Sequence, residues 1–237
     1  MPVNTTIILA SFNGAHYIDE QLNSIEREVA EPVNILICDD KSYDSTLNII
    51  NDYIKRSKHN VSLQINKKNL GPTKTFINLL KCVETEYVVF CDQDDIWIAD
   101  RVQLTEHSAS DILVSKFEVF EGVNTDHRKK HKLPNPSLRH GVLFPRFPGC
   151  CLSGRTDFIR SLYTKHEYIS LYDWILVSRG VLLGARFKLT NETCFLYRRH
   201  AGTVTKMGHS PDGILKALKR RYNLFIDLCG SVKLGKR

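Results

Sequence analysis

The sequence contains no GxGxxG and no GxxxxGK[ST], and the loop after its first apolar run holds one glycine, Gly14. Dinucleotide oxidoreductases and P-loop NTPases need such glycines for close approach of backbone to phosphate, so both classes are set aside. No CxxC occurs, the seven cysteines are an odd number, and only Cys150 and Cys151 lie close together. That excludes a disulfide framework and points to a reducing compartment. Adjacent cysteines rarely share a tetrahedral ion, so zinc on Cys150 and Cys151 is disfavoured too. Cys38, Cys82, Cys91 and Cys194 sit in apolar runs and read as small core hydrophobes. No stretch reaches the ~18 apolar residues that span a bilayer. No basic region precedes the apolar residues 5–10, so no signal peptide is read and a cytoplasmic location is expected. Internal repeats, low-complexity tracts and evident linkers are also missing.

What is present is an ordinary globular composition with an uneven charge. Of 237 residues, 42% are hydrophobic and 25% charged, which excludes disorder as the main state. The net charge of +7 conceals a split. Residues 1–100 carry nine Lys/Arg against fifteen Asp/Glu, and residues 101–237 carry twenty-four against eleven. A nucleic-acid binder should not have so acidic a first half, so two unlike surfaces are expected and no nucleic-acid partner.

The first 100 residues alternate strand and helix. Residues 5–10 are a short β-branched apolar run that predicts a buried strand, 33–38 predict a second strand, 61–65 an alternating third and 87–91 a buried fourth. Between them Ile18, Leu22, Ile25 and Val29 recur at helical spacing, as do Leu47, Ile50 and Ile54, and then Phe76, Leu80 and Val83. Asp44 or Ser45 is placed to cap the second helix, and Pro72 opens the third. This is the order of an α/β fold with a Rossmann-like, mostly parallel central sheet and helices on both faces. Ligands bind outside the carboxyl ends of such strands. Three polar clusters fall there, at residues 11–13, 39–42 and 92–95. The second half is less regular. Residues 112–115, 117–120, 185–190 and 194–198 predict short strands, 157–163 and 173–183 helices, 149–152 a buried segment, and 123–140 a basic loop.

Asp92-Gln93-Asp94-Asp95 directly follows a predicted strand. Three carboxylates within four residues repel one another unless a cation is present. Oxygen ligands on a short turn suit Mg²⁺ or Mn²⁺, which commonly bridge carboxylates to substrate phosphates. A solvated acidic turn or a helix cap is the alternative.

Residues 5–13 (TTIILASFN), 37–47 (ICDDKSYDSTL), 66–71 (NKKNLG) and 87–101 (YVVFCDQDDIWIADR) together resemble glycosyltransferase family 2, of the type A fold. The nearest likeness is to its bacterial rhamnosyltransferase-like branch. The likeness continues through Gly149-Cys150, Tyr172-Asp173-Trp174 and residues 197–202 (YRRHAG), and it covers about residues 3–205.

The resemblance implies a catalytic domain over residues 1–205, with a nucleotide-sugar half at about 1–100 and an acceptor half at about 101–205. Residues 206–237 would form a basic amphipathic tail. Ala10, Ser11 and Asn13 would line the nucleotide pocket, with Ala10 and Ser11 standing where the wider family often has Pro and Thr. Asp40, with Asp39 beside it, would meet the base or ribose. Asn69 and Lys74 resemble base- and phosphate-side positions, and Lys74 reads equally as an exposed helix lysine. Asp92 and Asp94 match the DxD motif, Asp92 near the ribose and Asp94 on Mn²⁺ or Mg²⁺, with Asp95 a second candidate for the metal. His200 matches a further metal-ligand position. Asp173 matches the catalytic base, and its neighbours Tyr172 and Trp174 supply apolar bulk that would raise its pKa.

The implied reaction is inverting transfer of a sugar from a nucleotide-diphosphate donor to a hydroxyl of a glycan or lipid-linked glycan. The donor suggested is a deoxythymidine-diphosphate sugar such as the rhamnose donor, or a UDP-hexose. A sugar-1-phosphate nucleotidyltransferase would need a Gly-rich basic loop after the first strand, which residues 11–16 (SFNGAH) lack. A non-catalytic subunit of a polysaccharide assembly complex fits poorly with intact Asp92, Asp94 and Asp173. In the tail, Ile214, Leu215, Leu218, Tyr222, Phe225, Ile226 and Cys229 share one helical face, and residues 214–237 carry seven basic residues against Asp227. Such a helix suits the anionic inner face of the plasma membrane, or packs on the catalytic domain. Residues 128–146 add six more basic residues.

Overall fold

The computed structural model describes residues 3–122, 124–144, 146–164, 168, 170–200 and 212–229, with the side chains of 124, 212–217 and 229 left aside. Strand β1 (Thr5–Ser11) leads to helix α1 (Ile18–Glu28), β2 (Asn34–Asp39), α2 (Thr46–Arg56), β3 (Asn60–Ile65), α3 (Pro72–Lys81) and β4 (Tyr87–Asp92). These elements follow the predicted order. β1 pairs in parallel with β2 and β4, and β2 with β3. Thr5 to Leu9 of β1 are all buried, so both faces of this strand are covered. Ile18, Leu22, Ile25 and Val29 of the α1 stripe are inaccessible or nearly so, as are Phe76, Leu80 and Val83 along α3.

The chain then departs from its predicted plan. β5 (Ile96–Trp97) and α4 (Arg101–Glu106) follow β4, and β6 (Ile112–Glu121) is one strand where two were expected. Its register shifts around Lys116 account for the break in the sequence pattern. β7 (Asn124–Lys130) forms a hairpin with β6 inside the expected loop. A π-helical segment (Leu138–Leu143) and a tight turn (Gly149–Cys151) precede β8 (Leu152–Arg155), α5 (Thr156–Ser161) and α6 (Tyr172–Leu182). β9 (Phe187–Arg199) replaces two expected strands, and α7 (Asp212–Cys229) is the last described helix. Cys82, expected in the core, is exposed, whereas Cys38, Cys91, Cys150, Cys151 and Cys194 are buried.

The sheet order is β3-β2-β1-β4-β8-β6-β9-β5, with β7 on β6. The first-half strands pair in parallel throughout; β8 joins β4 and β6 antiparallel, and β9 runs parallel to β6. Beside β1 the strand order reverses, β2 lying on one side and β4 on the other. That reversal opens a crevice at the carboxyl ends of β1 and β4, where the Ser11–Gly14 loop and the acidic turn meet.

α7 does not dock as its apolar stripe suggests. Leu224 and Asp227 are buried and Leu228 packs on the core, whereas Leu218, Tyr222, Phe225 and Ile226 are exposed. The Asp227 carboxylate accepts from Ser170 N at 2.8 Å and ties α7 to the start of α6. The expected face residues Ile214, Leu215 and Cys229, and residues 230–237, lie outside the described side chains. No helix among the described residues is long and apolar enough to cross a membrane.

Candidate active site

A cleft of about 370 Å³ lies at the crevice. Ala10, Ser11, Asp40, Asn69, Asp92, Asp94, Asp173 and His200 all line it, brought together from opposite ends of the chain. Asn13, Asp39 and Lys74 do not. Asp39 is fully buried, accepting from Ser42 N (2.7 Å), Ser42 Oγ (2.6 Å) and Ser11 Oγ (2.9 Å). Asn13 has a left-handed backbone (φ 47°), and its Oδ1 accepts from Tyr43 N at 3.0 Å. Both residues are spent on joining the loop after β1 to the loop after β2. Lys74 is exposed on α3. Asp40 lines the cleft while holding the loop before α3, accepting from Leu70 N and Gly71 N, each at 2.7 Å.

The acidic turn separates its three carboxylates. Asp92 and Asp94 face the cleft, and Asp95 turns inward, 1% exposed. Asp95 Oδ1 accepts from Arg198 N at 3.2 Å, and its carboxylate lies with those of Asp92 and Cys150 Sγ in one group spanning less than 4.8 Å. Burial pushes the Cys150 thiol well above its ordinary value, so it stays protonated and donates to the carboxylates. Burial, then Asp94 and Asp92, push Asp95 well up. Asp92 is raised to about 7, first by burial and then by the charge of Asp94, with Arg101 beneath the turn opposing. Arg101 is itself enclosed, its guanidinium 4.7 Å from the Trp97 ring and 4.9 Å from that of Phe195.

His200 closes the turn from β9, its Nε2 2.7 Å from Asp94 Oδ2 and its ring 4.4 Å from that of Tyr17. Arg198 braces the same place: Nε donates to Asp94 O at 2.8 Å, and the other nitrogens donate to Gly122 O and to the Glu20 carboxylate. Repelling carboxylates at one cleft wall, with an imidazole against one of them, are a donor set that fits Mn²⁺ or Mg²⁺.

Across the cleft Asp173 sits in the first turn of α6, its Oδ1 accepting from Trp174 N at 2.8 Å. Burial raises it to about 7 against the backbone N–H groups that pull it down. Its neighbour Tyr172 stacks on Phe90 (5.4 Å) and meets Phe76 (4.4 Å). Sequence reasoning gave no role to Gln93, Pro148, Leu171 or Tyr197, all of which line the cleft. The signal for each was adjacency to a motif residue.

Known structures share this architecture. TarS of Staphylococcus aureus, solved with UDP-GlcNAc, superposes with a TM-score of 0.69 at 20% identity, over 97% of this chain and 68% of that one. The mannosyltransferase PcManGT of Pyrobaculum calidifontis, solved with GDP-Man and Mn²⁺, gives 0.63 at 14% identity, over 99% and 76%. The fold is thus the type A glycosyltransferase fold. In sequence, residues 6–160 match the pattern of glycosyl transferase family 2. The dTDP-rhamnosyl transferase RfbG of Shigella flexneri is 30% identical over 217 residues, 81% of this chain and 71% of that protein. The UDP-Glc:α-D-GlcNAc-diphosphoundecaprenol β-1,3-glucosyltransferase WfaP of Escherichia coli is 26% identical over 209 residues, 84% and 79%. The chain belongs to glycosyltransferase family 2.

Proposed function

We propose that the protein transfers a hexosyl or deoxyhexosyl group, with inversion, from a nucleotide-diphosphate sugar to a hydroxyl of a lipid-linked bacterial surface glycan. The observation that carries this reading is that a raised carboxylate, Asp173, and the Asp92–Asp94 turn line one cleft from opposite elements. The loop Ala10–Ser11, Asp40 and Asn69 would hold the nucleotide. Asp94 and His200, beside Asp92, would hold Mn²⁺ or Mg²⁺, which supplies positive charge to the departing diphosphate. Asp173 takes the proton of the acceptor hydroxyl on its carboxylate as that oxygen attacks the anomeric carbon. Such base help is worth roughly 10²–10⁴-fold. RfbG and WfaP, named for dTDP-rhamnose and UDP-glucose, support testing those two donors first. A panel of nucleotide sugars with Mn²⁺, scored by thermal shift and nucleotide release, tests the reading. Metal-dependent stabilisation by one donor is expected; no stabilisation by any donor overturns it.

Peripheral contact with the inner face of the plasma membrane belongs to the same proposal. Leu218, Tyr222, Phe225 and Ile226 are exposed along α7 with Lys219, Arg220 and Arg221 beside them, as an interfacial helix requires. Cosedimentation with vesicles containing phosphatidylglycerol tests this. Phe225→Glu with Tyr222→Glu should abolish it, and unchanged binding refutes the contact.

A further inference from the structure

The first turn of α6 carries Asp173, yet no side chain among the described residues caps this helix from its N-cap position, which is Leu171. The path of the chain into α6 is therefore set by other contacts. Three described elements supply them. Tyr163 Oη donates to Tyr172 O at 2.9 Å. Thr73 Oγ1, in the first turn of α3, donates to Ser170 O at 3.4 Å. From α7, the Asp227 carboxylate accepts from Ser170 N at 2.8 Å.

Asp227 is the contact that packing alone would not call for. It is 2% exposed and the only acid in residues 214–237. Residues three and four apart share a helix face, so Leu224, Asp227 and Leu228 form the inward stripe of α7. An apolar residue would dock the helix there without the cost of burying a carboxylate. What the carboxylate adds is a short, charge-assisted and directional bond. Its partner is a main-chain N–H three residues before Asp173, so the bond fixes backbone rather than a side chain. Between them lie Leu171 and Tyr172, both in the cleft wall. Ser170 is thus a joint: α7 holds its N–H, α3 holds its carbonyl, and α6 with Asp173 leaves from it. On its outer side the same α7 exposes Tyr222 and Phe225.

We infer that Asp227 is a positioning residue for Asp173, so that the last described helix sets the geometry of the chemical step from outside the cleft. The inference rests on the transferase reading, in which Asp173 is the base, and adds a residue that touches neither donor nor acceptor.

The test compares Asp227→Ala with Asp227→Asn in the whole protein. Turnover of dTDP-rhamnose or UDP-glucose with Mn²⁺ is read as nucleotide release, nucleotide affinity by calorimetry, and the backbone by hydrogen exchange. In Asp227→Ala, kcat should fall about 10–100-fold with the donor KM and nucleotide affinity kept. Amides 170–174 should exchange about tenfold faster or more, and those of β1 and β4 at the wild-type rate. Asp227→Asn should recover most of kcat, because its amide oxygen can accept from Ser170 N in the same place. If Asp227→Ala does not fold, Asp227→Leu takes its place in the comparison. Unchanged kcat or unchanged exchange at 170–174 overturns the inference. So does a joint fall of kcat and nucleotide affinity with Asn no better than Ala, because Asp227 then only holds the fold. If the wild type turns over neither donor, the transferase reading loses support, and exchange at 170–174 alone decides whether Asp227 holds the start of α6.

Discussion

The side-chain amide of Gln93 meets the main chain of Phe12 at both ends, Phe12 N donating to Oε1 at 2.9 Å and Nε2 donating to Phe12 O at 3.1 Å. Gln93 stands between Asp92 and Asp94, so this pair joins the acidic turn to the loop after β1. Gly14 packs against the same amide, and a Cβ there would lie 2.2 Å from Oε1. Two hydrogen bonds of about 0.5–1.5 kcal/mol each hold the two loops in register.

Gln93→Ala should therefore weaken nucleotide binding about 5–30-fold in the presence of Mn²⁺. Calorimetry with and without Mn²⁺ checks it. The wild type should show stronger mutual enhancement of metal and nucleotide than the variant; identical enhancement in both would show that the pair carries no coupling.

In the proposed role of base, Asp173 would set a pH dependence. Held at about 7, it is protonated in mild acid and cannot take the acceptor proton, so transfer should fall as pH drops through 7. Asp173→Asn should bind donor and transfer no sugar, and near-normal turnover would refute the base assignment. Stability follows the opposite sense. A carboxyl raised in the folded state costs nothing while protonated, below its unfolded value near 4, and its cost accrues as pH rises through about 7. Asp173→Asn should thus melt higher than wild type at pH 8 but not at pH 4, by differential scanning fluorimetry.

Gly149→Ala should act on the chemical step. The added Cβ would lie 1.8 Å from Tyr172 Oη, and Tyr172 is locked between Phe76 and Phe90 beside Asp173. Misplacing the base by about 1 Å costs about 10²-fold in rate. Steady-state kinetics should show kcat falling by that order with the donor KM changed less than kcat.

Arg198→Met should cost about 1–3 kcal/mol in urea unfolding, because it leaves the Asp94 and Gly122 carbonyls without their donor, whereas the half-exposed Glu20 carboxylate turns to water. Arg198→Lys should recover part of that loss and less of the Mn²⁺ affinity, since one ammonium cannot reproduce the planar fork.

β1, β2 and β4 were legible because a buried parallel strand reads as a mostly apolar run, and β3, an edge strand with no buried residue, was legible from its alternation. The second half hides its strands for stated reasons. β7 faces solvent on most of its length, and nothing about Arg128-Lys129-Lys130 alternates. β9 carries Asn191-Glu192 in its middle, where the register to β6 is irregular, so one strand reads as two. β5 has only two residues and exists because Trp97 pairs with Phe195. At the site, the crowded carboxylates of residues 92–95 stood out by residue type and Asp173 only through the family resemblance, whereas Asp39 and Asn13 look alike in sequence whether they face ligand or bind neighbouring loops. Only the burial of Asp39 distinguishes them. Asp94 and Asp95 were likewise inseparable until the turn showed one facing the cleft and the other facing Arg198 N.

The contacts that shape the acidic turn span long stretches of chain: 81 residues from Phe12 to Gln93, 104 from Asp94 to Arg198 and 106 from Asp94 to His200. Loops of that length close slowly compared with the local pairings of the first half. A chain released from denaturant should thus regain its helical signal before it gains any affinity for a divalent ion held by Asp94 and His200. On the proposed metal site, ion binding would then measure whether the last strand has been threaded home, because His200 follows β9 directly.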